Sequence, residues 1–230
     1  MTPITALGSR YGIQGALGRS VKRAAAGGGW WDLNGTITSC VAAYQPKGAA
    51  DYAASKVNLT GNATYDAVEG STVSWNAIDG WVAGSSGYLK SGITGAVGNT
   101  WSMIIRFTNG GAYGNSMYWG SMTTGKRWAA NINMGTFARC YIGNMGDIAG
   151  AQMTSGIYAF SSDDLYENGS YFGTTGNGLN AIADELYLVG YNNGGTPSPS
   201  GAGKIQAIAF YNAVLTPTQV SNLSTAMNAL

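Results

Sequence analysis

Hydrophobic and polar positions along the chain alternate mostly with a period of two. Trp101, Met103, Ile105 and Phe107 alternate with Ser102, Ile104, Arg106 and Thr108, which predicts a half-buried strand ending at an Asn109-Gly110 turn. Residues 37–44, 117–119, 128–134, 137–142 and 156–160 supply further strands, and Asp79-Gly80 marks a turn ahead of Trp81-Val82. Residues 64–74 have no clear period and read as a long connection. Leu165-Tyr166-Glu167 and Ser170-Tyr171-Phe172 flank Asn168-Gly169, the pair that a type I′ hairpin turn requires. Near the end, residues 186–190 read as a strand, the Asn/Gly/Pro/Ser stretch after them as a loop, and residues 203–211 as another strand. Only then does the period become helical. Val220, Leu223, Met227 and Leu230 form one apolar stripe, Thr216 and Gln219 form a capping box, and Pro217 suits the first helical position.

Composition agrees with short strands and tight turns. Of 230 residues 36 are Gly, 11% are aromatic and only 10% are charged, which is the reverse of a disordered chain. The length suits one β domain with a real core. A nearly neutral surface favours association over life as a free monomer. Charge is placed unevenly. Residues 1–31 carry Arg10, Arg19, Lys22 and Arg23 and no acid, and run into Ala24-Ala25-Ala26-Gly27-Gly28-Gly29. The expected organisation is therefore a basic Gly/Ala-rich arm over 1–31 and a folded domain over 32–230. Four cations without interleaved aromatics do not make a nucleic-acid surface, so the arm reads as a docking strap. No secretory leader or membrane span is read from the sequence. Cys40 and Cys140 lie in strand-like runs and are expected as buried free thiols, with one bridge as the alternative.

The chemistry is notable for what is missing. There is no histidine, which removes the usual general base and metal ligand. Gly120 to Gly125 precedes Lys126 at the wrong interval for a phosphate loop. Glycoside hydrolysis needs two carboxylates flanking the sugar bond. Asp163, Leu165 and Glu167 share a strand face, but the middle position is Leu, and Asp184-Glu185 point to opposite faces. No catalytic residue is assigned. Exposed aromatics could instead hold a sugar. Trp75, Trp119 and Trp128 read as core or interface, whereas Tyr113 and Tyr191 lie in Gly/Asn segments and are the glycan-contact candidates.

The C-terminal segments, together with the Tyr166-Glu167-Asn168-Gly169 hairpin, resemble the end of concanavalin A-like jelly rolls of the laminin G type. There L-x-[IV]-G, G-x-I-x-x-[IV]-x-[IF]-Y and L-[ST]-x-x-[EQ]-[VI] recur in that order. Tyr44-Gln45-Pro46, Val57 to Asn62, and Gly80-Trp81 with Tyr88-Leu89 resemble the front of such domains, so the likeness spans about residues 36–230. It implies an all-β antiparallel jelly-roll sandwich with a short C-terminal helix and an extended N-terminal arm. It also raises calcium, for which Asp163, Asp164, Asn192 and Asn193 are candidates; turn formation by these Asx residues is the preferred reading, and no metal site is assigned. Chains of this layout look most like tailed-phage virion proteins. The expectation is a non-enzymatic structural protein of the virion, made in the host cytoplasm and placed on the capsid or tail. Its arm would bind other virion proteins, in an oligomer or larger assembly. The alternative is a lectin-like module, calcium-assisted or not, that binds host-surface glycan.

Overall fold

The computed structural model describes residues 28–33, 37–84, 86–94, 100–108, 117–123, 126–131, 137–142, 150–151, 154–175, 181–199 and 203–230. Arg10, Arg19, Lys22, Arg23 and Tyr113 lie outside them.

Two sheets face each other. Strands are numbered along the chain. The first sheet runs β13 (Ser170–Thr174), β12 (Asp164–Glu167), β11 (Ser155–Ser161), β6 (Ser102–Thr108), β17 (Gly203–Tyr211), β4 (Gly80–Ala83), β3 (Ser74–Asn76), and β1 (Cys40–Tyr44) pairs with the second half of β17. The second runs β10 (Gly150–Ala151), β9 (Phe137–Ile142), β8 (Lys126–Asn131), β7 (Met117–Thr123), β14 (Tyr187–Leu188), β5 (Tyr88–Lys90), β2 (Val68–Ser71), with β15 (Gly190–Asn193) and β16 (Thr196–Pro199) as a hairpin beside β7. Among the described residues, pairing is antiparallel except at one bridge, Asn192 with Ser121. This is the antiparallel sandwich expected from the sequence. The stretch 64–74 is more ordered than its pattern suggested, because it holds β2 and the start of β3, both on sheet edges where a hydrophobic alternation is not needed.

Alternate residues of each strand point to opposite faces, so the two faces of the first sheet can be read separately. Met103, Ile105, Phe107, Tyr158, Phe160, Leu165, Ile208 and Phe210 face the second sheet and meet Trp119, Trp128, Leu89 and Leu188 in one core. The middle of the opposite face is covered as well. Ile104, Ile157, Ala159, Ala207, Ala209 and Tyr211 lie under Val220, Leu223 and Met227 of helix α2 (Pro217–Asn228) and under Trp30 and Trp31. Strand β6 is therefore not half-buried: Ser102, Met103, Ile104 and Ile105 are all buried. The buried Ser102 hydroxyl accepts from Leu215 N at 3.0 Å, and the Ser161 hydroxyl donates to Leu215 O at 2.7 Å. These bonds satisfy the polar side chains under the segment that leads into α2.

The helix begins as its sequence requires. The Thr216 side chain accepts from Gln219 N and the Gln219 side chain accepts from Thr216 N. Burying each large stripe residue such as Leu223 is worth roughly 1.5–3 kcal/mol. Trp30 and Trp31 pack edge to face at 6.1 Å, and the Tyr211 hydroxyl donates to Trp31 O at 2.9 Å. Trp30 and Trp31 are thus packed against the first sheet. Cys40 is a free thiol on β1, and burial and the nearby Asp32 push its pKa up; the side chain of Cys140 lies outside those described.

Candidate functional site

Of the carboxylates, Glu167, Asp184 and Glu185 are engaged in structural hydrogen bonds. Asp163 sits in the turn before β12, next to Ser162 with φ 57°, so it is not on the strand face that carries Leu165 and Glu167. Leu165 is buried in the core between them. Glu167 lies opposite Tyr158 and accepts its hydroxyl at 2.9 Å; burial raises the carboxyl pKa, and the Tyr158 bond offsets part of that rise. Asp184 accepts from the Thr123 hydroxyl, and Glu185 accepts from Gly92 N at 2.8 Å. Each of these acids ties one segment to another.

The segment after Leu188 differs from its reading as one strand followed by a loop. The strand breaks at Val189, a buried β-branched residue with φ 64°, and the polar stretch beyond forms the β15–β16 hairpin. Its turn is Gly194-Gly195, with φ of 58° and 89°, which only glycine adopts without strain. The Asn192 side chain donates to Glu185 O at 3.0 Å and accepts from Gly195 N at 2.7 Å. That is the Asx role weighed against calcium binding. Among the described residues no three of His, Cys, Asp and Glu converge as a metal site would require. Tyr191 is therefore in a strand, opposite Ser198 and half-buried, rather than in a loop. Trp119 and Trp128 pack edge to face in the core at 4.8 Å, while half-buried Trp75 donates its indole N–H to Pro46 O at 2.8 Å.

Among the described residues, the aromatic side chain most open to contact is one that the sequence pattern did not single out. Tyr171, 58% exposed, lies on β13, the edge of the first sheet, opposite Tyr166. The two rings meet edge to face at 5.8 Å, and Tyr166 is itself buried beneath α2's neighbours in the outer cluster. The Tyr171 hydroxyl lies 2.7 Å from Thr174 Oγ1, and Thr174 Oγ1 donates to Asp164 Oδ1 at 2.5 Å. Thr174 has one hydroxyl proton and gives it to the carboxylate, so Tyr171 is the donor to Thr174. The ring is held at both ends while its body remains open to solvent. Its supporting turn is held too. Asn168 and Gly169 take φ of 49° and 83°, the type I′ geometry; Asn168 bonds both Ile157 N and Ile157 O, and Gly169 packs so closely on Ser221 and Ser224 of α2 that a Cβ there would come within 3.1 Å. The signal for this site was present in the sequence as an aromatic pair directly after an Asn-Gly turn.

No protein-family model matches the chain, and no curated protein matches its sequence. Solved structures do match its shape. Domain 4 of AbnA, a GH43 extracellular arabinanase from Geobacillus stearothermophilus, solved in complex with arabinotriose, aligns with a TM-score of 0.56 and 17% identity over 81% of this chain and 98% of that domain. Trypanosoma rangeli sialidase in complex with sialic acid aligns with a TM-score of 0.56 and 12% identity over 84% of this chain and 33% of that one. The botulinum neurotoxin serotype D binding domain aligns with a TM-score of 0.57 and 11% identity over 84% and 52%. The chain thus spans about a third of the sialidase and half of the toxin fragment. What it shares with all three is the fold, a jelly-roll-like β-sandwich.

Proposed function

We propose that this domain is a non-catalytic glycan-binding module. The observation that carries the reading is Tyr171, an exposed aromatic ring fixed in place beside a hydroxyl and a carboxylate. Sugars are bound by such pairings of a flat apolar face with polar acceptors. The fold adds support, since the arabinanase domain that aligns over nearly its whole length was solved with arabinotriose. The structural use of Glu167, Asp184 and Glu185 favours binding over cleavage. Calcium has no part in this reading. The test is an array of immobilised neutral and sialylated glycans, with and without chelator. Saturable binding that survives chelation is expected; binding to no glycan would refute the proposal.

A second reading rests on the basic leader. Four cations and no acid over residues 1–31, above a Gly-rich hinge, suit an arm that anchors the domain to other proteins of a virion, on capsid or tail. Its support is the sequence alone, and it is compatible with glycan binding by the body. Deleting residues 1–29 should abolish incorporation into particles and leave the domain folded; normal incorporation would count against it.

A further inference from the structure

We infer that the β12–β13 hairpin is the sugar subsite and that it takes a neutral, hydroxyl-rich residue in preference to an acidic one; this rests on the glycan-binding reading and assigns it a place and a ligand class. The inference follows from where the protons are. Asp164, when ionised, only accepts, and its Oδ1 already holds the Thr174 proton. Asp164 is half-exposed, so its carboxylate is open to a ligand. The Tyr171 hydroxyl proton is committed to Thr174, so toward a ligand its oxygen can only accept. The side chains of this relay therefore offer acceptors and a negative charge. A sugar hydroxyl is a donor and fits. A sialic acid carboxylate, a sulfate or a phosphate is an acceptor with charge of the same sign, and is repelled.

The ring supplies the second half of the recognition. An exposed aromatic side chain ordinarily loses rotamer freedom when a ligand stacks on it. Here the edge-to-face contact with Tyr166 and the bond to Thr174 have already removed that freedom. The C–H face of a pyranose or furanose can then pack on the ring while one of its hydroxyls donates to Asp164. The donor relay fixes the distance between platform and acceptor, so the subsite selects by hydroxyl geometry as well as by charge.

The test is calorimetric titration of the full chain with arabinotriose, with other neutral oligosaccharides and with a sialylated trisaccharide. Neutral ligands should bind and the sialylated one should bind at least about tenfold more weakly. Tyr171→Ala should weaken neutral binding by about tenfold or more, and Asp164→Asn, which turns one acceptor into a donor, by about threefold to tenfold. Tyr171→Phe keeps the ring but breaks the bond to Thr174, and should weaken binding by about threefold, less than Tyr171→Ala; an unchanged melting temperature controls for folding in each variant. Wild-type binding that Tyr171→Ala and Asp164→Asn both leave intact would overturn the subsite but not the glycan-binding reading. A preference for the sialylated ligand would overturn the charge argument. Binding of no oligosaccharide would overturn both.

Discussion

Arg106 of β6 holds Leu230 at the far end of α2: its Nη1 donates to Leu230 O at 2.8 Å and to Met227 O at 2.8 Å. A cation on the last carbonyls of a helix satisfies orphan acceptors and opposes the negative end of the helix dipole. Lys47 adds a bond to Leu230 O at 2.6 Å. The helix is thus pinned at its start by its capping box and at its end by side chains from the sheet it covers. Arg106→Met keeps the stem and removes the donors. It should cost about 1.5–3 kcal/mol in urea unfolding, with the second-sheet core unaffected. An unchanged midpoint would show that the contact is dispensable.

Asn58 should be far less tolerant. Its side chain is buried, and it uses all four of its hydrogen-bonding positions: Oδ1 accepts from Ala43 N at 2.9 Å and Thr60 N at 3.2 Å, and Nδ2 donates to Val41 O at 3.3 Å and Asn62 O at 3.0 Å. It fastens the segment before β2 to strand β1. Asn58→Ala takes the acceptor from Ala43 N and Thr60 N and one of two donors from Val41 O and from Asn62 O, and should cost about 3 kcal/mol. Asn58→Asp keeps the acceptors, loses the donors and faces its new charge toward carbonyls and toward Asp66, whose Oδ1 accepts from Asn58 N. Its deficit should therefore shrink as pH falls, a trend that thermal melts over a pH series would reveal.

Glu167 gives a pH signature of the same sign, with the buried carboxylate now in the wild type. Burial raises its folded-state pKa above the unfolded value, so its contribution is fully present below the unfolded pKa and is lost as pH rises through the folded pKa. Glu167→Gln keeps an oxygen for the Tyr158 hydroxyl and removes the charge. The variant should melt higher than the wild type at about pH 7.5 and no higher at about pH 3, below the ordinary carboxylate range. Neither protein should release product from arabinan. Product release that this substitution abolishes would contradict a non-catalytic role.

Legibility in the sequence followed the range of the interaction. The Thr216–Gln219 capping box, the helical stripe and the Asn168-Gly169 turn are local, and the structure has them where the pattern put them. The double-sided burial of β6 was not legible, because it depends on α2 and Trp30-Trp31, which lie far from it in sequence. The β15–β16 hairpin was missed because Asn, Thr, Ser and Pro strands at a polar surface carry no alternation. Tyr191 consequently read as a loop residue. Tyr171 was visible as a hairpin residue only. Its exposure comes from the edge position of β13, and its fixation from Thr174 and Asp164, which meet it only through strand pairing. Asp163 was expected to share a strand face with Leu165 and Glu167, but the Ser162 turn takes it off the strand, which the alternation could not show.

The most direct measurement is an NMR titration of isotope-labelled protein with arabinotriose. Saturable shift changes centred on residues 164–174, including the ring resonances that Tyr171→Phe identifies, are the predicted result. Saturable changes centred on another face, or none with any neutral oligosaccharide, would contradict it.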